Sequence, residues 1–226
     1  LLAVLLKPLL AWRMLRDEVL AVERALARSL PEGREQLARL VSRDVSQLTP
    51  AEVRESAIES LAENLNDSVV APVFWFVLLG LPGAAIYRFA NTADAMWGYP
   101  GLYPHDGNGR NWAWAGKWAA RADDVLAWMP ARITAVLLML VTGVGAWSRL
   151  RTEAARTPSP NSGWPMAAMA LALGVRLGKP GGYMLNGDAP APQPRDTLRA
   201  VDAASKALLA PVSIGYVATI LVAIGV

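Results

Sequence analysis

The sequence predicts an all-α, polytopic integral membrane protein. It reads as a single membrane-embedded domain over residues 1–226, with amphipathic helices and polar helical loops between apolar segments. Two observations predict this class. Hydrophobic residues make up 54% of the chain and the mean hydropathy is +0.27, high for a soluble globular domain. Four segments are apolar enough to enter a bilayer, whose core a helix crosses with about 20 apolar residues.

The first segment, "LLAVLLKPLLAW" (1–12), is too short to span alone and reads as the tail of a longer span. The chain starts with Leu rather than Met and is expected to lack its native N-terminus; no signal-peptide cleavage pattern follows. Residues 68–90 are long enough, but "GLPG" (80–83) breaks them in the middle. "ARITAVLLMLVTGVGAW" (131–147) is the cleanest span, and "LLAPVSIGYVATILVAIGV" (208–226) closes the chain. Trp12, Trp75, Trp128 and Trp147 lie in or beside these segments, as interfacial anchors do.

Between the first two segments the chain is polar and helical. "LTPAEVRESAIESLAENL" opens with Thr49 as cap, Pro50 at the first helical position and Glu52 completing a capping box. Val53, Ala57, Ile58, Leu61 and Leu65 form one apolar stripe, with Glu52, Glu55, Glu59 and Glu63 opposite. "REQLARLVSRD" (34–44) reads as another amphipathic helix, and residues 112–129 as a third, carrying Lys117, Arg121, Asp123 and Asp124. Gly and Pro punctuate three loops, at 98–111, 156–165 and 180–194.

Several function classes are excluded. There is no cysteine, hence no disulfide, thiolate zinc site or Cys nucleophile. The lone histidine, His105, rules out a His-rich metal site. A net charge of +3 without a long basic run argues against a nucleic-acid binder. Neither a P-loop nor a strand-borne G-x-G-x-x-G occurs.

Glu59, Glu63 and Asp67 recur at intervals of four and lead straight into apolar sequence. Like charges so placed repel by a few tenths of a kcal/mol per pair. They form either a solvated face or a site holding Mg²⁺ or a cationic group. Asn91 and Asp94 follow the second segment, as turn residues or as site residues. Asp123 and Asp124 point about 100° apart on a helix, so both cannot face lipid; Arg121, Arg132 or a metal would partner them. Arg132 is an interfacial anchor or a phosphate clamp, and Asn161 is a turn residue or a ligand contact. Asn64 falls toward the apolar stripe, so a hydrogen bond to Asn91 or Asp94 is expected.

In this order, "ESLAENLNDSVVAPVFW" (59–75), "PGAAIYRFANTADAMWGY" (82–99), "ARADDVLAWMPARITA" (120–135), "PSPNSGWPMAAMALALGVRLG" (158–178) and the "GGY" that follows resemble the CobD/CbiB family of cobalamin biosynthesis. The resemblance covers most of residues 28–183. It implies a multi-pass protein of the bacterial inner membrane and an ATP-dependent carbon–nitrogen ligase, adenosylcobinamide-phosphate synthase. The implied reaction joins adenosylcobyric acid, a corrinoid, to an amino-alcohol phosphate derived from aminopropanol or ethanolamine. On this reading Glu59, Glu63, Asp94, Asp123 and Asp124 are catalytic, and Glu59, Glu63, Asp67 and Asp94 hold Mg²⁺. Asn64, Asn91, Arg132 and Asn161 bind substrate, with Arg88 or Arg121 as further phosphate partners. All of these carboxylates and amides are expected to line one cavity.

The chain departs from the family in starting late, in the length of "PHDGNGRNWAWAGK", and in Met166, where the family commonly has Glu after "GWP". A non-catalytic sensor or signalling paralogue is therefore an alternative, and a transporter is another, against which the lack of a repeat counts. Topology poses a problem. Arg13, Arg16, Arg149, Arg151 and Arg156 place two loops in the cytoplasm, which leaves 91–130 outside if 68–90 crosses. Asp94 and Asp123 then part from Glu59, unless 68–90 is a re-entrant hairpin or the acids meet at membrane depth. A hairpin alone would send Asn161 to the far side.

Overall fold

The computed structural model describes residues 2–98 and 114–223; His105 and all of the 98–111 loop but its first residue lie outside them. Helix α1 (Leu2–Leu6) and a 3₁₀ turn (Lys7–Leu9) lead to α2 (Trp12–Arg28) and α3 (Leu30–Leu37). Helix α4 (Pro50–Leu65) runs through a π-helical turn (Asn66–Val70) into α5 (Ala71–Trp97). Helices α6 (Ala115–Thr142), α7 (Trp147–Ala154) and α8 (Gly163–Leu173) follow. A two-stranded antiparallel hairpin, β1 (Leu177–Gly178) and β2 (Met184–Leu185), precedes α9 (Pro194–Ala223).

Helix α4 is the centre, with α2, α3, α8 and α9 packed around it. Its start follows from the sequence. The Thr49 hydroxyl accepts from the Glu52 N–H at 3.3 Å, and the Glu52 carboxylate accepts from the Thr49 N–H at 2.7 Å. Val53, Ala57, Ile58, Leu61 and Leu65 are buried as expected. The opposite face is buried too, taking in Glu55, Ser56, Glu59 and Ser60.

The helix expected over 34–44 ends at Leu37. Beyond it the backbone tightens into i−3 bonds, Arg39 N–H to Gln36 O and Leu40 N–H to Leu37 O. Arg43 then turns toward α4, where it donates to the Ser56 hydroxyl at 2.5 Å. Binding to α4 replaces the further helical turns that the pattern suggested. Helix α2 carries Leu15, Val19, Val22 and Ala25 inward on a stripe that the sequence reading passed over.

The break at "GLPG" is a chain reversal. Gly80 has φ +67° and ψ −158°, a conformation essentially restricted to glycine. Residues 67 and 88 would lie about 30 Å apart on a straight helix. Instead Arg88 Nη1 donates to the Asp67 carbonyl at 3.0 Å. Residues 71–79 and 81–97 are therefore the two arms of a helical hairpin, with Val77, Leu78, Leu79, Ile86 and Phe89 exposed around its turn.

Within the helix expected over 112–129 and the span expected over 131–147, residues 115–142 form one helix, α6, which stops at Gly143 in the left-handed conformation (φ +69°). Pro130 does not break it. Proline lacks the N–H that would bond the carbonyl four residues earlier. Trp75 supplies the missing donor, its Nε1 reaching the Leu126 carbonyl at 3.0 Å. Polar helix α7 then leads the chain back, so that Asn161 meets Asp124 near the start of α6. Pro50–Trp97 and Gly116–Thr142 are long and apolar enough to cross a membrane, although the first doubles back at Gly80. The fourth expected segment, 208–226, is helical as far as Ala223.

Trp75→Phe should lower stability by about 1–3 kcal/mol, because it leaves the Leu126 carbonyl without a donor. Gly80→Ala should cost about 1–3 kcal/mol by forcing a side chain into the glycine conformation. Denaturation in detergent, followed by circular dichroism, would measure both, and an unchanged midpoint would contradict the assignment.

Candidate active site

The acidic ladder of α4 leads from a polar cavity into the α5–α6 junction. Glu59 is buried and meets Arg43 Nη2 at 3.6 Å. Both residues line a cavity of about 350 Å³ together with Glu63, Lys179, Tyr183 and Met166. Among the described residues Arg43 Nε and Glu59 Oε1 are buried without a hydrogen bond of normal length, and the Tyr183 hydroxyl lies close enough to Glu59 to interact with its carboxylate. The Tyr183 hydroxyl donates toward the Met166 sulfur at 3.6 Å. Burial and the neighbouring Glu59 and Glu63 charges raise the Tyr183 pKa well above the ordinary tyrosine value. Tyr183 thus keeps its proton and serves as a neutral donor.

One turn on, Glu63 lies within electrostatic reach of Glu59, Asp123 and the cations Lys179 and Arg43. The π-helical turn then carries Asn66 and Asp67. Asn66 donates to Asp67 Oδ1 at 2.8 Å and accepts from Thr134 of α6 at 3.1 Å. Tyr87 donates to the same Asp67 oxygen at 3.4 Å, and Arg88 Nη1 holds the Asp67 carbonyl and Asn91 Oδ1. Asn91 Nδ2 reaches Asp123 at 3.2 Å. Asp67 and Asp94 both lie within electrostatic reach of Asp123. Four segments thus meet at one place.

A family model described as CobD/Cbib protein matches residues 1–209. The chain belongs to the CobD/CbiB family. A probable cobalamin biosynthesis protein CobD of Methanothermobacter thermautotrophicus is 45% identical over 189 residues, which are 81% of this chain and 61% of that protein. One of Pyrococcus abyssi is 44% identical over 198 residues, 88% of this chain and 62% of its own length. The cobalamin biosynthesis protein CobD of Chromobacterium violaceum is 41% identical over 222 residues, 93% and 68% of the two chains. The chain therefore spans about three fifths of the length of the first two of these relatives. No solved structure matches.

For this CobD/CbiB chain the expected single cavity is a row of two adjoining parts. Glu59, Glu63 and Asn64 line the cavity itself. Asp67, Asn91 and Asp123 are linked beyond it, and Asp94 joins the Asp123–Asp124 end. Asn64 does not reach Asn91 or Asp94. Its amide donates to the Ser60 carbonyl at 3.0 Å, one turn back on its own helix, which satisfies it locally. Asn161 is buried and donates to the Asp124 carbonyl at 2.7 Å. Arg132 is held between the rings of Trp128 and Trp164, 4.1 and 4.7 Å from their centroids, and donates to Asn161 Oδ1 at 3.3 Å. It stands outside the cavity beside Glu59.

Glu59, Glu63, Asp67 and Asp94 do not form one metal cage. Among the described residues no three acidic or histidine side chains are grouped closely enough to hold a metal ion. Glu63 instead lies within electrostatic reach of Asp67 and of Asp123, so the acids form a row rather than a cage. The sequence reading missed Arg43, Lys179 and Tyr183. Tyr183 stands in the quoted "GGY", a signal that was available, whereas Arg43 sits in a stretch read as helix surface. Met166, where the resemblance implied Glu, lines the cavity, so that wall carries a thioether and no charge.

Arg43→Ala should lower stability by about 3 kcal/mol, since it strands a buried carboxylate. Adding Glu59→Gln should restore most of that loss. Chemical denaturation of the two single variants and the double variant would test the coupling; additive losses would show that the pair is not the source.

Proposed function

We propose that this chain is a membrane amide-forming ligase of cobalamin biosynthesis, an adenosylcobinamide-phosphate synthase. It would join adenosylcobyric acid to aminopropanol phosphate or ethanolamine phosphate with ATP. The relatives' names support the pathway. The observation that carries the reaction class is the approach of Glu63, Asp67, Asn91 and Asp123 beside a cavity that holds both cations and carboxylates. The apolar hairpin around Gly80 and helix α6 support a multi-pass membrane placement, with the hairpin re-entrant.

Amide formation needs an amine free of its extra proton and an acid turned into a good acyl donor. Glu63, with carboxylates on either side, is the group placed to take the ammonium proton. Asp67 and Asp123, together with ATP phosphates, would hold magnesium, and bound magnesium–ATP would supply the phosphoryl group that activates the acid. Asn66 and Tyr87 fix the Asp67 carboxylate and Arg88 fixes Asn91, so these donors are set before substrate arrives. Asn161 ties the start of α6, and hence Asp123, to the α7–α8 loop. A non-catalytic paralogue is the second reading, favoured by Met166 on the cavity wall.

The test is product formation by the purified chain from adenosylcobyric acid, the amino-alcohol phosphate and ATP, read by mass spectrometry. Glu63→Gln and Asp94→Asn should each reduce turnover at least about a hundredfold while the protein stays folded and inserted. Near-normal turnover in either variant would remove that residue from the site. No turnover by the parent chain would favour the second reading.

A further inference from the structure

Arg132 stands apart from the cavity beside Glu59, and the ligase chemistry does not use it. Its surroundings are those of a binding site. The guanidinium lies between the rings of Trp128 and Trp164, 4.1 and 4.7 Å from their centroids. Such stacking strips water from the faces of the group and holds its plane in one orientation. Nη1 is committed to protein acceptors, the Trp128 carbonyl at 2.6 Å and Asn161 Oδ1 at 3.3 Å. Among the described residues Nε and Nη2 meet no acceptor, and no carboxylate pairs with the group. The Nε–Nη2 edge is therefore whole, and its two parallel N–H groups form the fork that a phosphate takes from arginine.

The surface around it is apolar. Val125, Trp128, Met129, Val136 and Leu140 are exposed on the side of α6 that carries Arg132, along about 22 Å of helix. Arg132 is the one charged residue in that stretch of sequence. Exposed apolar surface of this extent marks a membrane or protein contact. Trp164 also lines a groove of about 310 Å³ with Arg151, Thr157 and Pro160, and among the described residues no carboxylate lines it. One indole thus stands beside two cations. A protein partner would have to bring an acid and an apolar strip in register with them. A phospholipid carries both in one molecule, the phosphate next to its acyl chains, and tryptophan and arginine are residues that meet headgroups.

We infer that Arg132 binds the phosphate of an anionic phospholipid, with the headgroup between Arg132 and Arg151 at Trp164 and the acyl chains along the exposed face of α6. The bound lipid has a route to the acidic end of the site. Asn161 accepts from Arg132 and donates to the Asp124 carbonyl, so a headgroup on Arg132 braces the contact that holds the α7–α8 loop to α6. The inference goes beyond the ligase reading and shares with it only the membrane placement.

Binding to the full chain in a neutral maltoside detergent, read by native mass spectrometry, tests this with three probes. Dioleoyl phosphatidylglycerol carries phosphate and chains, dioleoylglycerol only the chains and glycerol phosphate only the phosphate. Phosphatidylglycerol should bind at least about tenfold tighter than either. Arg132→Gln should remove its advantage over dioleoylglycerol. Arg151→Gln, at an exposed position, should weaken phosphatidylglycerol about threefold, which keeps the test open if Arg132→Gln fails to fold. Equal binding of the two lipids, an advantage that survives Arg132→Gln, or unchanged binding in Arg151→Gln would overturn the site. Glycerol phosphate bound as tightly as phosphatidylglycerol would overturn it in favour of a free phosphate. A dimer that Arg132→Gln splits, with no preference between the lipids, would give the face to a second copy of the chain instead. None of these readings depends on amide formation, so the lipid site and the ligase reading stand or fall separately.

Discussion

A carboxylate taken out of water must find a cation or a set of N–H and O–H donors, and α4 imposes that demand at buried Glu55 and Glu59, with half-buried Glu63 one turn on. Several long-range links among the described residues answer a demand of this kind, on α4 and elsewhere. Arg176 reaches Glu55 at 3.1 Å and so pins the β-hairpin to α4. Arg54 of α4 and Thr197 of α9 both donate to Glu23 of α2, joining three helices at one carboxylate. Glu153 accepts from the Asn186 N–H and fixes the loop after the hairpin to α7. Such pairs add little net stability, but breaking one strands a charge. They therefore specify which segments meet. At Glu59 and Glu63 the answer is incomplete, and there the cavity lies.

The second determinant is the reversal at Gly80. Without it Asp67 and Arg88 would sit at opposite ends of a rod. With it, Arg88 closes on the Asp67 carbonyl within the π-helical turn, where the backbone pattern has slipped by one residue. The same hairpin brings Trp75 to the carbonyl that Pro130 leaves without a donor, so one fold-back both builds the site and keeps α6 whole. The acids at 67 and 123 approach each other because the intervening apolar chain turns round, and the return through α7 brings Asn161 to the same end.

Features governed by a few neighbouring residues were legible in the sequence. The capping box at Thr49 and Glu52, the stripe on α4 and the break at "GLPG" each depend on local backbone chemistry, and each appears where its residues stand. Features that depend on a distant partner were not. Nothing near Pro130 says that an indole 55 positions earlier will supply its missing donor. Nothing near "REQLARLVSRD" says that Arg43 will leave helical order for Ser56 and Glu59. Asn64 failed as a long-range reading for the opposite reason, since a carbonyl on its own helix was at hand. For the site, the carboxylates could be named from their spacing, while the cations that balance them lie in stretches with no period to read.

The arrangement also explains why like charges are tolerated in a row. On an isolated helix Glu59, Glu63 and Asp67 only repel. Here each has a distinct surrounding: Arg43 and Tyr183 at Glu59, Lys179 and the open cavity at Glu63, Asn66 and Tyr87 at Asp67. The ladder is thus a graded path along one rigid element, from a cation-rich end to an acid-rich end. Helix α4 can hold it because both its ends are fixed, by the capping box at Thr49 and by Thr134 on Asn66 in the π-helical turn. A ladder carried on a loop would have relaxed by moving the charges apart. On a buried helix they cannot separate, so the repulsion is answered by these neighbours.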